Sequence, residues 1–351
     1  VYSRAGAFIL DKDFNLINAQ GNVVQGFAVD DVTGRAVGNV TDITFANLAA
    51  QAQATTEVTA GITLDSNATV LATGTVFDPT DPATFHYKAE VNIFDALGQT
   101  HTVSLQFTKI GLNAAGNIVW DWHASVDGGE ITGGTAGTAT EVSAPTASVL
   151  TAGVVTTAGT QSIEFGPTGE LVTEISPNLA ISWANSAPSS ISINFGNATT
   201  TDAQGITGTG LDGTVQMAGA FATRQMTRDG FPAGFLDKLE TDSAGKIFGV
   251  FTNGQRRAIY QVALAKFPND AVLSHVGANQ LAETISSGSP VLSLPGSGGM
   301  GTISPYALEQ SNVDLASEFV KLIIVQRGYE ANSKTILTTD QMLSSLMQVK
   351  R

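Results

Sequence analysis

The sequence predicts a mainly β protein that ends in one long α-helix, and three observations support this fold class. Short runs of alternating apolar and polar residues recur along most of the chain, separated by turns rich in Gly, Asn and Asp. Gly supplies 37 of the 351 residues and charged residues only 14%, a composition typical of strands and turns. The segment after Asp314, in contrast, repeats apolar residues with a period of seven, which indicates a helix.

The bulk composition excludes several classes of function. The formal net charge of −14 argues against nucleic acid and anionic membrane surfaces as partners, because both require a basic footprint. The absence of cysteine excludes disulfides, thiol nucleophiles and thiolate metal sites. No apolar run has the length of a membrane span, and the first residues, VYSRAGAF, do not read as a signal peptide. Because the chain also lacks an initiator Met, we expect that a segment precedes it.

The N-terminal region is predicted to begin with a β-hairpin. Residues 7–10 and 16–18 are mainly apolar, and the mainly polar residues 11–15 between them form the turn. Residues 28–75 mix Gly, Thr, Asn and Ala, so strands there are only weakly indicated. The turn-rich stretch 76–82 indicates a linker and a candidate domain boundary.

A clearer β region follows. Residues 89–94 (AEVNIF) and 101–107 (HTVSLQF) alternate with period two and predict two strands around the loop 95–98 (DALG). An Asp or Asn opens such a loop by accepting backbone N–H bonds, and Gly closes it in the left-handed conformation. The loop signal recurs at 113–116 (NAAG), 166–169 (GPTG) and 242–245 (DSAG).

The rest of the β text is uneven. Residues 125–160 indicate loops and plain strands, and 181–195 indicate two strands around a Pro turn. Residues 256–267 predict a strong central strand that Pro268 ends. Residues 288–302 form a glycine-rich extended exit.

The C-terminal segment predicts one helix over residues 312–350. Asn312 or Asp314 suits the N-cap, and Lys350 and Arg351 suit the negative end of the helix dipole. The apolar residues repeat every seven positions and predict a packing seam, which consists of Leu315, Phe319, Leu322, Val325, Tyr329, Ile336, Leu343 and Leu346.

Such a helix needs a partner. About 37 residues at about 1.5 Å each make a rod of about 55 Å, and no second helix of comparable length is predicted. A repeat sustained over that length favours a coiled-coil-like contact with another chain or with a preceding segment, while packing on the domain's own core remains the alternative. Alone in solution, the helix is expected to be frayed.

No catalytic, cofactor or metal site is predicted, so we expect a protein that is not an enzyme. Residues 208–213 match G-x-G-x-x-G, but they precede strand-like rather than helical text. Residues 11–22 begin like a calcium loop, but Leu16 and Asn22 occupy the positions that need Gly and Glu. The histidines form no ligand pair; they are His86, His101, His123 and His275.

The C-terminal residues resemble those of a known family. ALEQSNVDLA (307–316), QRGYEAN (326–332) and TDQML (339–343) are similar to the C-terminal signature of the bacterial flagellar axial proteins. This family comprises the rod, hook and hook-associated junction proteins. Three upstream stretches favour the hook branch: residues 1–27, VNIFDALGQTHTVSLQF (91–107) and the return segment 228–267. The first 27 residues resemble the family's first strands.

The resemblance implies two β domains, the outer one inserted into a discontinuous inner one. The inner domain would comprise residues 1–70 and 222–305, and the outer domain residues 71–221. Residues 306–351 would form a connector and the long helix. The N-terminal helix that the family carries has no counterpart in this sequence.

The resemblance also implies a function. The chain would self-assemble into the flagellar hook, a flexible tubular joint that transmits torque from the basal-body rod to the filament. Its partners would be identical subunits in a helical tube, the hook cap, the distal rod and the hook-filament junction proteins. It would be extracellular and exported without a cleaved signal peptide. The alternatives are another axial protein, such as a distal rod or junction protein, and an extracellular β-rich binding module.

Overall fold

The fold is built from strands, with one α-helix at its end. The structure, a computed structural model, describes residues 1–31, 33–46, 48–72, 75–143, 145–151, 153–200, 206–311 and 313–349. Short 3₁₀ turns lie at Pro82–Thr84, Gly128–Glu130 and Asp270–Val272, and the helix α1 is Leu315–Val349. In chain order the strands are β1 (Tyr2–Ser3), β2 (Phe8–Leu10), β3 (Leu16–Asn18), β4 (Gln25–Val29), β5 (Ala36–Asp42), β6 (Ala49–Ala50), β7 (Glu57–Asp65), β8 (Tyr87–Phe94), β9 (Thr100–Asn113), β10 (Ile118–Asp127), β11 (Ala139–Glu141), β12 (Val149–Thr151), β13 (Val154–Thr157), β14 (Ser162–Phe165), β15 (Leu171–Ile175), β16 (Leu179–Ile181), β17 (Ser189–Asn194), β18 (Val215–Met217), β19 (Ala222–Arg228), β20 (Gly234–Thr241), β21 (Lys246–Phe251), β22 (Arg256–Val262), β23 (Leu264–Lys266), β24 (Ser274–Gly277), β25 (Gln280–Ala282) and β26 (Val291–Ser293).

The larger of two hydrophobic clusters lies between an eight-stranded and a five-stranded sheet. The eight-stranded sheet runs β12-β13-β9-β10-β14-β15, with β8 beside β9 and β11 beside β10. The five-stranded sheet runs β16-β17-β7-β18, with β19 also pairing with β7. The cluster contains side chains from both sheets, including Trp120, Trp122 and Phe195, all fully buried. We call residues 57–228, which build this cluster, the inserted region.

Strand β7 is deeply buried in the inserted region, although the sequence indicates it only weakly. Val58, Ala60, Ile62 and Leu64 are all fully buried, while Gly61 and Thr63 on the other face are covered as well. β7 pairs in parallel with β17 and β18 and antiparallel with β19. The strand alternates apolar Val58, Ala60, Ile62 and Leu64 with Thr59, Gly61 and Thr63, but Ala and Gly at its centre are depleted in strands, which explains the weak signal.

The smaller cluster belongs to a six-stranded sheet of order β5-β4-β22-β21-β20-β6. Its buried members are Ile43, Phe45 and Ile247. Three small sheets, β1-β25-β24, β2-β3 and β23-β26, complete this part of the molecule. The strand expected over 256–267 therefore divides in two, because β22 pairs with β21 and β4, whereas β23 pairs with β26 in a separate sheet.

The strand pairing differs from the expected domain limits at two strands. β7 and β19 fall within the ranges 1–70 and 222–305 expected for the inner domain, yet they pair with each other inside the five-stranded sheet. Their position follows from burial, because the apolar side chains of β7 lie in the larger cluster. The stretch 76–82, expected as a boundary, joins β7 to β8, and both strands contribute to that same cluster.

The chain enters and leaves the inserted region through two neighbouring segments, 52–57 and 228–233. Gln53 and Phe231 exchange backbone hydrogen bonds of 2.9 and 3.0 Å across them. The loop around Gly98 packs against the same crossing, where a Cβ added to Gly98 would lie 2.7 Å from the Cβ of Ala52. The crossing is therefore a close contact of backbones.

Asp229 fastens this crossing. Its carboxylate accepts the backbone N–H groups of Thr56 and Glu57 at 2.9 and 3.1 Å, and the Thr56 hydroxyl as well. Partial burial alone would raise the pKa of the Asp229 carboxyl, but the hydrogen bonds from Thr56 and Glu57 outweigh burial and hold that pKa below its ordinary value. The ionised side chain therefore joins the two segments.

Seven five-residue hairpin loops share one backbone pattern. In each, the first residue donates its N–H to the fifth carbonyl, and the fourth residue donates its N–H to the first carbonyl. In four of the loops an Asp or Asn side chain at the first position also accepts N–H bonds from positions three and five, as the sequence predicts at Asp95 and Asn113. The loops are 11–15, 18–22, 95–99, 113–117, 166–170, 242–246 and 251–255.

Candidate assembly surface

The helix α1 begins at Leu315 because Asp314 caps it. The Asp314 carboxylate accepts the N–H of Ala316 at 2.9 Å, and its carbonyl accepts the N–H of Glu318 at 3.1 Å. Glu318 lies at the positive end of the dipole and pairs with Lys321 at 2.7 Å. The Asp314 cap predicted from the sequence is confirmed, so the helix starts three residues later than the expected 312. The other expected cap, Asn312, lies outside the described residues, as do Lys350 and Arg351.

Polar side chains in the second half of α1 are satisfied on the helix itself. The hydroxyl of Thr335 donates to the carbonyl of Ala331 at 2.7 Å, and those of Thr338 and Thr339 donate to the carbonyl of Thr335 at 2.9 and 2.8 Å. The other polar side chains of this half, such as Lys334 and Asp340, are exposed to water.

The eight residues of the predicted seam are all exposed. Their exposed fractions run from 50% at Leu322 to 76% at Tyr329. Along Leu315–Gln348 only Ser333 is even half-buried, so the described strands and loops leave this helix uncovered. The seam residues lie along α1 but are not brought against any core of the same chain.

The exposed seam is energetically unfavourable in an isolated subunit. Burying a large apolar side chain contributes roughly 1.5–3 kcal/mol, so the eight together forgo on the order of 10 kcal/mol while they stay in water. A single helix without tertiary packing is also marginally stable. Among the described residues, no helix is both long and apolar enough to cross a membrane.

The apolar surface of α1 is wider than the seven-residue repeat predicts. Val320, Ile323 and Ile324 are at least half exposed, although they lie off the seam, and Leu337 and Met342 behave likewise. For Ile323 and Ile324 the sequence signal is the unbroken apolar run 322–325, because four successive residues at about 100° each encircle a helix. A helix that is apolar on all sides is normally buried, so the first half of α1 is expected to have neighbours on several sides.

The histidines have structural partners. His101 Nδ1 lies 2.9 Å from a carboxylate oxygen of Glu130, and its ring stacks on Trp183 with centroids 3.9 Å apart. His123 Nδ1 lies 2.7 Å from Glu141. In the part of the chain that the structure describes, no group of three or more Asp, Glu or His side chains is arranged to hold a metal ion. The His101 contact joins β9 to the turn Gly128–Glu130, and the His123 contact joins β10 to β11.

The carboxylate of Asp95 belongs to the same cluster as His101. Burial alone would raise the pKa of Asp95, but hydrogen bonds, led by the one from the backbone N–H of Gln99 and including that from the N–H of Leu97, outweigh it and lower that pKa. The charge is thus used to close the 95–99 loop. The glycine motif at 208–213 is likewise structural, because strand β18 follows it instead of a helix.

Comparisons with known proteins find matches for the inserted region and for the C-terminal helix. The family model described as flagellar basal body protein FlaE D2 domain matches residues 63–231, and the one described as flagellar basal body rod FlgEFG protein C-terminal matches residues 304–349. The flagellar hook protein FlgE of Escherichia coli K12 is 30% identical over 353 residues, which cover 99% of this chain and 77% of that protein. The flagellar hook protein FlgE of Treponema pallidum is 31% identical over 369 residues, covering 100% of this chain and 76% of that protein. The solved structure of Helicobacter pylori flagellar hook protein FlgE2 matches with a TM-score of 0.49 and 11% identity, over 83% of this chain and 87% of that one.

Proposed function

Because this chain belongs to the flagellar hook protein family, we propose that the exposed seam of α1 is the surface through which it joins identical copies. The chain is a structural subunit of the flagellar hook, and its relatives do not favour a distal rod protein, a junction protein or a binding module. The family is structural, which points away from catalysis. Its members form an extracellular polymer of identical subunits.

One observation carries the proposal for α1. Every residue of the seam stays in water, with an exposed fraction of at least 50%. A polymer of identical subunits offers many copies of the same helix, so burial of the seam can be repeated along the assembly. The partner that the sequence demands is then supplied by neighbouring subunits.

We further propose that the six-stranded sheet and the inserted region have different positions in the assembly. The smaller six-stranded sheet adjoins the connector to α1 and would form the inner layer, while the inserted region would face outward. The proposed boundary lies at the crossing near residues 55 and 230, where Asp229 joins the two segments. A flexible joint that transmits torque needs such a fixed link between its layers. The hook cap, the distal rod and the junction proteins would be its partners at the ends, and export without a cleaved signal peptide would deliver it.

The seam assignment is tested by charge insertion. Replacing Leu322 and Ile336 together with Asp should prevent polymerisation, because each change would bury a carboxylate in an apolar contact. The β parts should stay folded, since neither side chain contributes to a core. Sedimentation and electron microscopy of the purified subunit would measure polymer, and circular dichroism would measure folding.

A matched control uses the same helix. Gln341→Asp with Ser345→Asp adds the same charge at exposed polar positions away from the seam. The control pair should polymerise. Normal polymer from the Leu322 and Ile336 variant would refute the seam.

A further inference from the structure

Phe14 occupies a backbone position that the chain otherwise gives to glycine. In the seven five-residue loops with the shared hydrogen-bond pattern, the fourth residue has a positive φ, from 72° to 89° where it is Gly. Six loops place Gly there: Gly21, Gly98, Gly116, Gly169, Gly245 and Gly254. In the loop 11–15 the residue is Phe14, with φ 61°.

A phenylalanine in this conformation carries a cost. In the left-handed region the Cβ of an L-residue crowds the following carbonyl oxygen, and bulky residues are rare there. Strain of this kind persists where something else in the structure or its function depends on the residue. Since six sister loops reach the same fold with Gly, the loop itself does not require the ring.

The ring gains little from its own subunit. Phe14 remains 52% exposed at the tip of the β2-β3 hairpin. Phe8, Ile9 and Leu10 of β2 are exposed as well, although alternate residues of a strand point to opposite faces. Strand β2 is therefore apolar and exposed on both faces, whereas the partner strand β3 is half-buried and its Leu16 packs against the smaller cluster.

The charges at the hairpin tip favour an apolar neighbour. Lys12 and Asp13 lie 3.8 Å apart and their opposite charges balance, while the remaining charge of the loop, the Asp11 carboxylate, already accepts the N–H groups of Asp13 and Asn15. A charged ligand would find no counterion in this pair. A second copy of the chain offers apolar residues of the same part of the molecule, including the exposed Val276 and Val291.

We propose that the Phe14 ring, together with Ile9 and Leu10, docks against a second copy of this chain and anchors it. The proposal rests on the proposed function, in which identical subunits polymerise, but it assigns a contact separate from α1. The hairpin tip meets a different patch of the neighbour, a heterologous contact of the kind that extends a helical polymer. The strain at Phe14 is offset when the ring leaves water.

The test compares three subunits, wild type, Phe14→Gly and Phe14→Tyr. Phe14→Gly removes both the strain and the ring, so the free subunit should melt at the same or a higher temperature. The concentration needed for polymerisation should rise about tenfold, the change expected for losing part of one buried aromatic side chain. Phe14→Tyr keeps the ring and should stay within about twofold of wild type. Sedimentation against subunit concentration measures polymerisation, and calorimetry measures melting.

Each contrary outcome has a distinct meaning. Phe14→Gly that polymerises at the wild-type concentration overturns the docking and leaves the proposed function standing. A fall in the melting temperature of Phe14→Gly also overturns it, because the ring would then serve the fold of the subunit. A wild-type subunit that forms no polymer overturns this inference and the proposed function together.

Discussion

The inserted region and the remainder of the chain bury their apolar side chains to very different degrees. The inserted region encloses fully buried Trp120 and Trp122 between two sheets. The remainder has a small cluster around Ile43, Phe45 and Ile247, and it leaves the long helix uncovered. Backbone strain follows the same division. In the described residues, the positive-φ positions that are not Gly lie outside the inserted region, at Phe14, Ala278, Asn279 and Tyr306.

This difference shows that one part of the subunit is stable by itself, while the other part carries the surfaces for assembly. A region with its own core keeps its fold whether or not neighbours are present. A region with exposed apolar residues and strained turns gains much of its stability from contacts that only an assembly supplies. Variants in the two regions should therefore fail in different assays.

The largest contrast is expected between Trp120→Ala and Ile9→Ala. Truncating the fully buried Trp120 should lower the free energy of unfolding by about 3–5 kcal/mol, because a cavity replaces the indole. Truncating the exposed Ile9 should change it by less than about 0.5 kcal/mol. Urea denaturation followed by far-UV circular dichroism measures both. Equal losses would mean that the hairpin belongs to a core of the isolated subunit.

A smaller contrast separates the crossing from an ordinary loop. Gly98→Ala and Gly116→Ala both place a Cβ at a positive φ, 81° and 85°, which costs about 1–2 kcal/mol. Gly98→Ala should cost more, because its Cβ also meets Ala52 at 2.7 Å, whereas Gly116 has open space. Parallel denaturation curves give the difference. Equal costs would show that the crossing tolerates a shift.

The acid dependence of Asp229 tests the link between the two regions. Its folded pKa is lowered, so the ionised carboxylate contributes stability above its unfolded pKa of about 3.9, and this contribution is lost as pH falls through the folded value. Asp229→Asn should therefore be less stable than wild type at pH 7, with a smaller further loss below about pH 4. Unfolding curves at several pH values measure this. Parallel acid profiles for the two proteins would argue against a stabilising role of the Asp229 carboxylate at the crossing.

The smallest expected effect on melting concerns the helix cap. Asp314→Ala should cost the helix about 0.5–2 kcal/mol, because the N–H of Ala316 loses its acceptor. The helix packs on no core of its own subunit, so the melting temperature of the β parts should stay unchanged while the helical signal at 222 nm decreases. A lower melting temperature would reveal a contact between α1 and the sheets.

The sequence reveals elements whose pattern is local. Alternation predicts β8 and β9, the Asp and Asn loops predict the hairpins, and the seven-residue repeat predicts α1. The structure adds what depends on distant partners. Ala60 and Gly61 weaken the strand signal of β7, and the limits of the inserted region depend on its pairing with β19.

The candidate surfaces follow the same rule. The sequence predicts the seam because it repeats every seven residues. Val320 and Ile324 lie off that repeat, and the structure shows that they are exposed on the helix as well. The sequence carries no such signal at Phe14, because Gly is the residue that marks the fourth position of these loops. Its unusual conformation appears only when the backbone is compared with its sister loops.

The crossing at Asp229 also bears on the order in which the chain folds. β4 pairs with β22, so that Ala28 lies opposite Tyr260, and the whole inserted region separates these two strands in sequence. Closing so long a loop in an unfolded chain is entropically costly and slow. Once the inserted region has folded, its ends lie together at Thr56 and Asp229, and the loop that remains to be closed is short. The topology therefore predicts that the inserted region folds first and that the six-stranded sheet is completed after it.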